Sequence, residues 1–223
     1  MAYSFPYDTQ LHQLQFGAIE IAVHCITNFD DLLNALIEKG EEHEDYKDER
    51  LPYWADLWHS ALALAQYLAE NEVIKPSMKV TEIGCGLGVP GMVAAKLGAD
   101  VILTDYMQET LDFLEINWRQ NFDSTLPSAL LDWRKPPTHF QADLLLASDV
   151  AYEKRAFDVL PQAIKILSKP GGRIIITEPQ RVMAQPFLDI LEKDKAYSLS
   201  KSILEVKWNN FYKKINILDL KRM

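Results

Sequence analysis

A chain of 223 residues, 48% of them hydrophobic, holds enough apolar mass for one large α/β domain with a small extension. Its 32 acidic against 23 basic residues, a net charge of −9, argue against a general binder of nucleic acid, whose affinity comes from Lys and Arg. Two cysteines, Cys25 and Cys85, are too few for a disulfide framework, and with five scattered histidines they show no zinc spacing, so no metal is expected. No basic-then-apolar leader opens the sequence, and no apolar run approaches the ~18 residues that cross a bilayer. The expectation is a cytoplasmic monomer without membrane or nucleic-acid partners.

In chain order, Leu14, Phe16 and the run Ile19 to Ile26, broken by Gly17, predict a small hairpin. Asn28 or Asp30 can cap a short helix through Ile37, which Gly40 ends. Then comes the charge run Glu41-Glu42-His43-Glu44-Asp45-Tyr46-Lys47-Asp48-Glu49-Arg50, either a solvated connection or an acidic flap over a substrate entrance. Residues 1–50 therefore read as a β/α extension and residues 51–223 as the main domain.

From Trp54 to Ala69 the residues Leu57, Trp58, Ala61, Leu62, Leu64, Ala65 and Leu68 recur at helical spacing. Strands and helices alternate after that. The strands are Met78–Ile83, Val101–Asp105, Ser128–Trp133, Ala142–Val150 and Arg173–Glu178. The helices between and after them are Val89–Leu97, Gln108–Gln120, Phe157–Leu167 and Pro186–Lys193. Such alternation implies a parallel sheet with helices on both faces. The last two runs, Tyr197–Trp208 and Phe211–Leu220, are joined only by Asn209-Asn210. No crossover helix fits there, so they form an antiparallel hairpin. The predicted fold is α/β, a Rossmann-like doubly wound sheet of seven strands, mostly parallel and ending in that hairpin.

The segment from Val80 to Gly91 reads as a buried strand, a glycine turn and the start of a helix. Gly84 and Gly86 let the backbone approach a ligand where a Cβ would collide, and Pro90 suits a first helical turn. Asp105 ends the next strand, where a carboxylate can grip both hydroxyls of a ribose. Gly86, Gly88 and Gly91 satisfy G-x-G-x-x-G in form. A pyrophosphate, however, needs an open helix N-terminus; Pro90 removes a donor there, and Glu82 would repel the phosphates. The same Glu82 suits the amino group and sulfonium of S-adenosylmethionine.

A parallel α/β sheet ending in an antiparallel hairpin, with Glu82-Ile83-Gly84-Cys85-Gly86-Leu87-Gly88 and Asp105, resembles the seven-strand S-adenosylmethionine-dependent methyltransferases over about residues 51–223. Pro52-Tyr53-Trp54-Ala55-Asp56-Leu57-Trp58 is similar to the segment before the core in the lysine protein methyltransferases, and Asp149-Val150-Ala151-Tyr152 resembles the D-x-x-Y signature of that branch. The resemblance implies that Gly84, Cys85 and Gly86 line the methionine part of the cofactor. It places Asp105 on the ribose, Tyr106 and Trp133 beside the adenine, and Trp58 and the Ser148 backbone against the cofactor. Asp149 and Tyr152 are the expected catalytic pair, orienting the acceptor, a protein lysine. Ordinary alternatives are core packing for Trp133 and Trp58 and a helix cap for Asp149.

Other functions fit the same residues: methyl transfer to a small molecule, a non-catalytic module that binds the cofactor, or a nicotinamide oxidoreductase, which Glu82 and the tail hairpin disfavour. Residues 1–50 match no pattern.

Overall fold

The computed structural model describes residues 7–43, 46 and 51–223. Most of the acidic segment after His43 therefore lies outside the described residues. The hairpin β1 (Thr9–Phe16) and β2 (Ile19–Ile26) comes first, then α1 (Phe29–Glu38). Asn28 stands at the N-cap of α1 without a side-chain cap bond; its amide donates to the Asp31 carboxylate instead, at 2.6 Å. A 3-10 turn, Tyr53–Ala55, leads to α2 (His59–Glu70). The helix expected from Trp54 thus begins five residues later, with Trp58 as its extended N-cap.

The alternating unit follows as β3 (Lys79–Ile83), α3 (Val89–Lys96), β4 (Asp100–Asp105), α4 (Gln108–Asn121), β5 (Ser128–Leu130), β6 (Ala142–Ser148), α5 (Leu160–Leu167), β7 (Ser168–Glu178), α6 (Gln185–Lys193), β8 (Tyr197–Trp208) and β9 (Phe211–Arg222). Five of these elements stop or start inside their predicted bounds, β3 and α3 by a single residue. β5 ends at Leu130 and β6 at Ser148, so Trp133 and Val150 stand in loops, and α5 begins at Leu160 rather than Phe157.

One sheet carries seven strands in the order β5-β4-β3-β6-β7-β9-β8. Strands β3 to β7 are parallel, and β9 runs antiparallel to both β7 and β8. The tail turns on Asn209 and Asn210, both at positive φ (46° and 65°), the geometry a two-residue hairpin needs. The interior strands are buried on both faces, as parallel strands covered by helices must be. On β6, Leu144 and Leu146 point into one core with α2, α3 and α4, and Leu145 and Ala147 into the other with α5 and α6.

The N-terminal hairpin belongs to the first of these cores through Leu14, Phe16, Ile21 and Val23. A lone two-stranded ribbon is marginal in water. Here the free edge of β2 is closed by side chains one turn apart on α4. Asn121 accepts from the Ala22 N–H at 2.8 Å and donates to its carbonyl at 2.7 Å; Asn117 does the same for His24 at 2.8 and 3.3 Å. Two asparagines thereby act as a surrogate third strand.

Strand order reverses between β3 and β6, because the chain walks outward through β4 and β5 and returns beside β3. Ile83 pairs with Ala147 in register. The glycine turn after β3 and the loop after β6 therefore emerge side by side, at the crevice where open α/β sheets take ligands.

Candidate active site

A cavity of about 730 Å³ lies over that crevice, within the usual size range of small-ligand sites. Its lining includes Trp58, Gly84, Cys85, Gly86, Asp105, Tyr106, Trp133, Ser148, Asp149 and Tyr152. Of the residues expected from the sequence, Glu82 alone does not line it.

The floor is the turn after β3. Gly84 has φ +61°, and a Cβ there would sit 3.2 Å from Val150 Cγ1 and 3.3 Å from the Trp133 ring. Any larger residue would fill the space between turn and indole. Gly88, at φ +76°, packs so closely that a Cβ would drive into Leu114. Cys85 is buried, and burial pushes its thiol well above the ordinary value. It is a packing residue, not a nucleophile.

Asp105 sits where β4 ends. Its carboxylate accepts from the N–H of Gly86 at 3.2 Å, Tyr106 at 2.8 Å and Met107 at 3.2 Å. Burial raises its pKa, and these bonds pull it back. They fix the rotamer and tie the glycine turn to the next strand. The carboxylate stands in the cavity lining, where a ligand's hydroxyls would meet it.

Glu82 departs from the sequence expectation. Strand alternation turns its side chain away from the cavity, beneath the start of α3. There Oε2 accepts from the Gly91 N–H at 2.9 Å; Oε1 has no partner, and burial raises the pKa to about 8. Glu82 closes the open first turn of α3 from below. It cannot meet an amino group or sulfonium in the cavity.

At one end of the cavity Trp133 leans over Gly84, and Arg134 reaches back to Tyr106. Arg134 donates to the Tyr106 hydroxyl at 2.6 Å, stacks 5.3 Å from the centre of that ring, and pairs with Asp132 at 2.9 Å. An apolar indole face and a braced tyrosine suit a flat heterocycle. Together with the glycine floor and the Asp105 carboxylate they fit S-adenosylmethionine.

The other end is assembled from three segments. Trp58, held by its indole N–H donating to the Tyr53 carbonyl at 2.7 Å, packs edge-on against Tyr53; Tyr53 packs edge-on against Tyr152 at 5.5 Å. Asp149 follows β6 in the left-handed region (φ +56°), with its N–H donating to Thr177 O of β7 at 2.9 Å. Helix α5 starts eleven residues beyond Asp149, so Asp149 caps no helix. Its carboxylate forms an ion pair with Arg181, whose guanidinium lies 5.8 Å from the centre of the Trp58 ring. Burial pushes the Asp149 carboxyl up and Arg181 pulls it down; burial also raises Tyr152.

Arg181 escaped the sequence reading, and Tyr53 entered it only as part of the Pro52–Trp58 segment. The loop that carries Arg181 is held by Glu178 at the end of β7, which accepts from the N–H of Gln180 at 2.8 Å and of Arg181 at 2.5 Å. Its position just past a parallel strand, at the carboxyl end where ligands bind, was the signal available. Among the described residues no cluster of His, Cys, Asp and Glu could hold a metal ion, and no helix is long and apolar enough to cross a membrane.

A sequence model described as lysine methyltransferase matches residues 47–194. The chain is 33% identical over 162 residues to the protein N-lysine methyltransferase METTL21A of Xenopus tropicalis, covering 70% of this chain and 73% of that protein. It is 32% identical over 133 residues to the histone-arginine methyltransferase METTL23 of Rattus norvegicus, covering 55% of this chain and 57% of that one. Among solved structures, the magnesium protoporphyrin IX methyltransferase of Synechocystis with bound S-adenosylmethionine superposes with a TM-score of 0.59 at 17% identity, over 88% of this chain and 92% of that one. That likeness carries the fold, and the family match carries the rest. The chain belongs to the lysine methyltransferase family of S-adenosylmethionine-dependent enzymes.

Proposed function

We propose that this enzyme methylates a lysine side chain of a partner protein, and that the two ends of the cavity divide the work. In this reading Asp105 receives the ribose hydroxyls, Trp133 and Tyr106 enclose the adenine, and Gly84, Cys85 and Gly86 admit the methionine portion. S-adenosylmethionine supplies a methyl group already activated on a sulfonium. Asp149 and Tyr152 hold the acceptor nitrogen in line with it, with Trp58 and Ser148 closing the sides. The nitrogen lone pair forms the N–C bond as the C–S bond breaks; the sulfur keeps that bond's electron pair, and the positive charge passes to nitrogen. Such a displacement needs no covalent enzyme intermediate, and positioning is the protein's main contribution.

The observation that carries a macromolecular acceptor is the rim. The Phe211 carbonyl lies 3.2 Å from His59 Nε2, which brings the tip of the β8–β9 hairpin beside Trp58. Phe211 and Tyr212 there are 70% and 64% exposed, and Val182, next to Arg181, is 92% exposed. Large apolar side chains around a cavity mouth favour a partner surface over a small solute.

The test is incubation with tritiated S-adenosylmethionine in lysate of the source cell. A labelled protein band whose hydrolysate contains methyl-lysine is expected. Methyl-arginine would reassign the acceptor, and label only in the small-molecule fraction would overturn the protein substrate.

A further inference from the structure

A lysine acceptor, with an unperturbed pKa of about 10.4, arrives as an ammonium without a lone pair. An unpaired carboxylate at the cavity mouth would hold that ammonium tightly and raise its pKa. Asp149 alone would therefore stabilise the unreactive form of the substrate. The ion pair with Arg181 changes the balance.

We propose that Arg181 is a positioning residue for methyl transfer: by neutralising Asp149 it lets the acceptor amine enter uncharged while leaving a carboxylate oxygen to orient it. The inference rests on the amine-acceptor reading above. Four observations support it. Arg181 lines the cavity together with Asp149 and Tyr152. The guanidinium is confined between the Asp149 carboxylate and the Trp58 ring. Its backbone is pinned by the buried Glu178, directly after Gln180 in the left-handed region (φ +58°). Asp149 is itself left-handed, so the backbone on both sides of the pair takes a conformation unfavourable for ordinary residues. A surface ion pair needs none of this fixing.

The surrounding charges leave the balance with Arg181. Glu178 from β7 and Lys213 from β9 act on Asp149 with opposite signs. Glu153 and Arg155, after β6, act on Tyr152 with opposite signs, while the more distant Asp105 adds to the negative side. Asp56 lines the same mouth. Without Arg181 the nearest carboxylate, Asp149, is left without its cation and would bind an incoming ammonium. With it, desolvation dominates and favours the neutral amine. The proton leaves to solvent before transfer, and Asp149 accepts a hydrogen bond from the remaining N–H.

The experiment is the initial rate of tritium transfer from S-adenosylmethionine, from pH 6.5 to 9.5, to the fraction labelled in the lysate assay. It compares the parent, Arg181→Lys and Arg181→Met, with calorimetric cofactor binding and thermal melts alongside. The parent rate should rise through one ionisation to a plateau. In Arg181→Met that rise should move up by at least one pH unit, a loss of about tenfold on the acidic side that recovers near pH 9.5. Arg181→Lys, which keeps the charge, should stay near the parent profile. An equal loss at every pH, or a lysine variant as impaired as the methionine one, would mean Arg181 only supports the loop. A parent profile flat in pH sinks the Arg181 role while leaving methyl transfer standing. No labelled fraction at all removes the parent reading and this inference with it.

Discussion

The two ends of the cavity are built in opposite ways. The end that fits adenosine comes almost entirely from one continuous stretch, β3 through the start of α4, plus Trp133. Its cavity-lining carboxylate, Asp105, is held by the backbone N–H groups of Gly86, Tyr106 and Met107. The acceptor end is collected from the turn before α2, the loop after β6 and the loop after β7. Its polar groups are held by side chains, Asp149 by Arg181 and the Arg181 loop by Glu178. The first end is continuous in the chain from β3 to α4, whereas each segment of the second is reached through a different strand.

That division can be broken by substitution. Asp149→Ala should lower methyl transfer by two or more powers of ten, since misplacing reacting atoms by about 1 Å can cost 100-fold. Its calorimetric affinity for S-adenosylmethionine should stay within a few-fold. Comparable loss of cofactor binding would show that the two ends are one unit.

Asp105→Ala is the converse. It should weaken cofactor binding by roughly 1.5–3 kcal/mol, the range for losing a charged acceptor. Calorimetry with S-adenosylmethionine and its demethylated product reads this directly, and unchanged affinity would leave Asp105 as a brace for the glycine turn alone.

Glu82 separates support from ligand within the first end. Its folded pKa, about 8, lies above the ordinary carboxylate value of 4.5, so the folded state binds its proton more tightly than the unfolded chain. Stability from this group is fully present below the unfolded value and is lost as pH rises through about 8. Between pH 5.5 and 8 the parent should lose roughly 3 kcal/mol from this source, and Glu82→Gln should lose much less. Melting curves at both pH values measure it. Glu82→Gln should also bind cofactor like the parent, and a large loss of affinity would return Glu82 to the cavity.

The smallest effect concerns Trp133. Trp133→Leu should reduce cofactor affinity by ~1 kcal/mol, the scale of an aromatic contact beyond area burial, with little change in the melting temperature without ligand. The opposite pattern would make the indole a core residue.

Much of this protein was legible before any coordinates. The βα alternation, the closing hairpin at Asn209-Asn210, the glycine turn and Asp105 follow from local rules: period, breakers, and what a backbone can do without a Cβ. Boundaries were less secure where packing overrode pattern. Trp54 to Trp58 has helical spacing, yet Pro52 and the burial of Trp54 against Phe113 hold the segment as a turn, and α2 waits for His59. Ser128–Trp133 reads as one strand, but β4 offers partners only as far as Leu130.

The sequence by itself determined the fold class and brought the glycine turn and Asp105 together, because both depend on contacts between residues near in the chain. Only the tertiary structure decided where Glu82 points and what faces Asp149. Glu82 is set by the pleat of β3 and the placement of α3 beneath it, which turn a carboxylate near the turn into a helix brace. Arg181 meets Asp149 across 32 positions of sequence, through the pairing of β6 with β7. No spacing rule reaches that far, since the two residues become neighbours only when the parallel strands align.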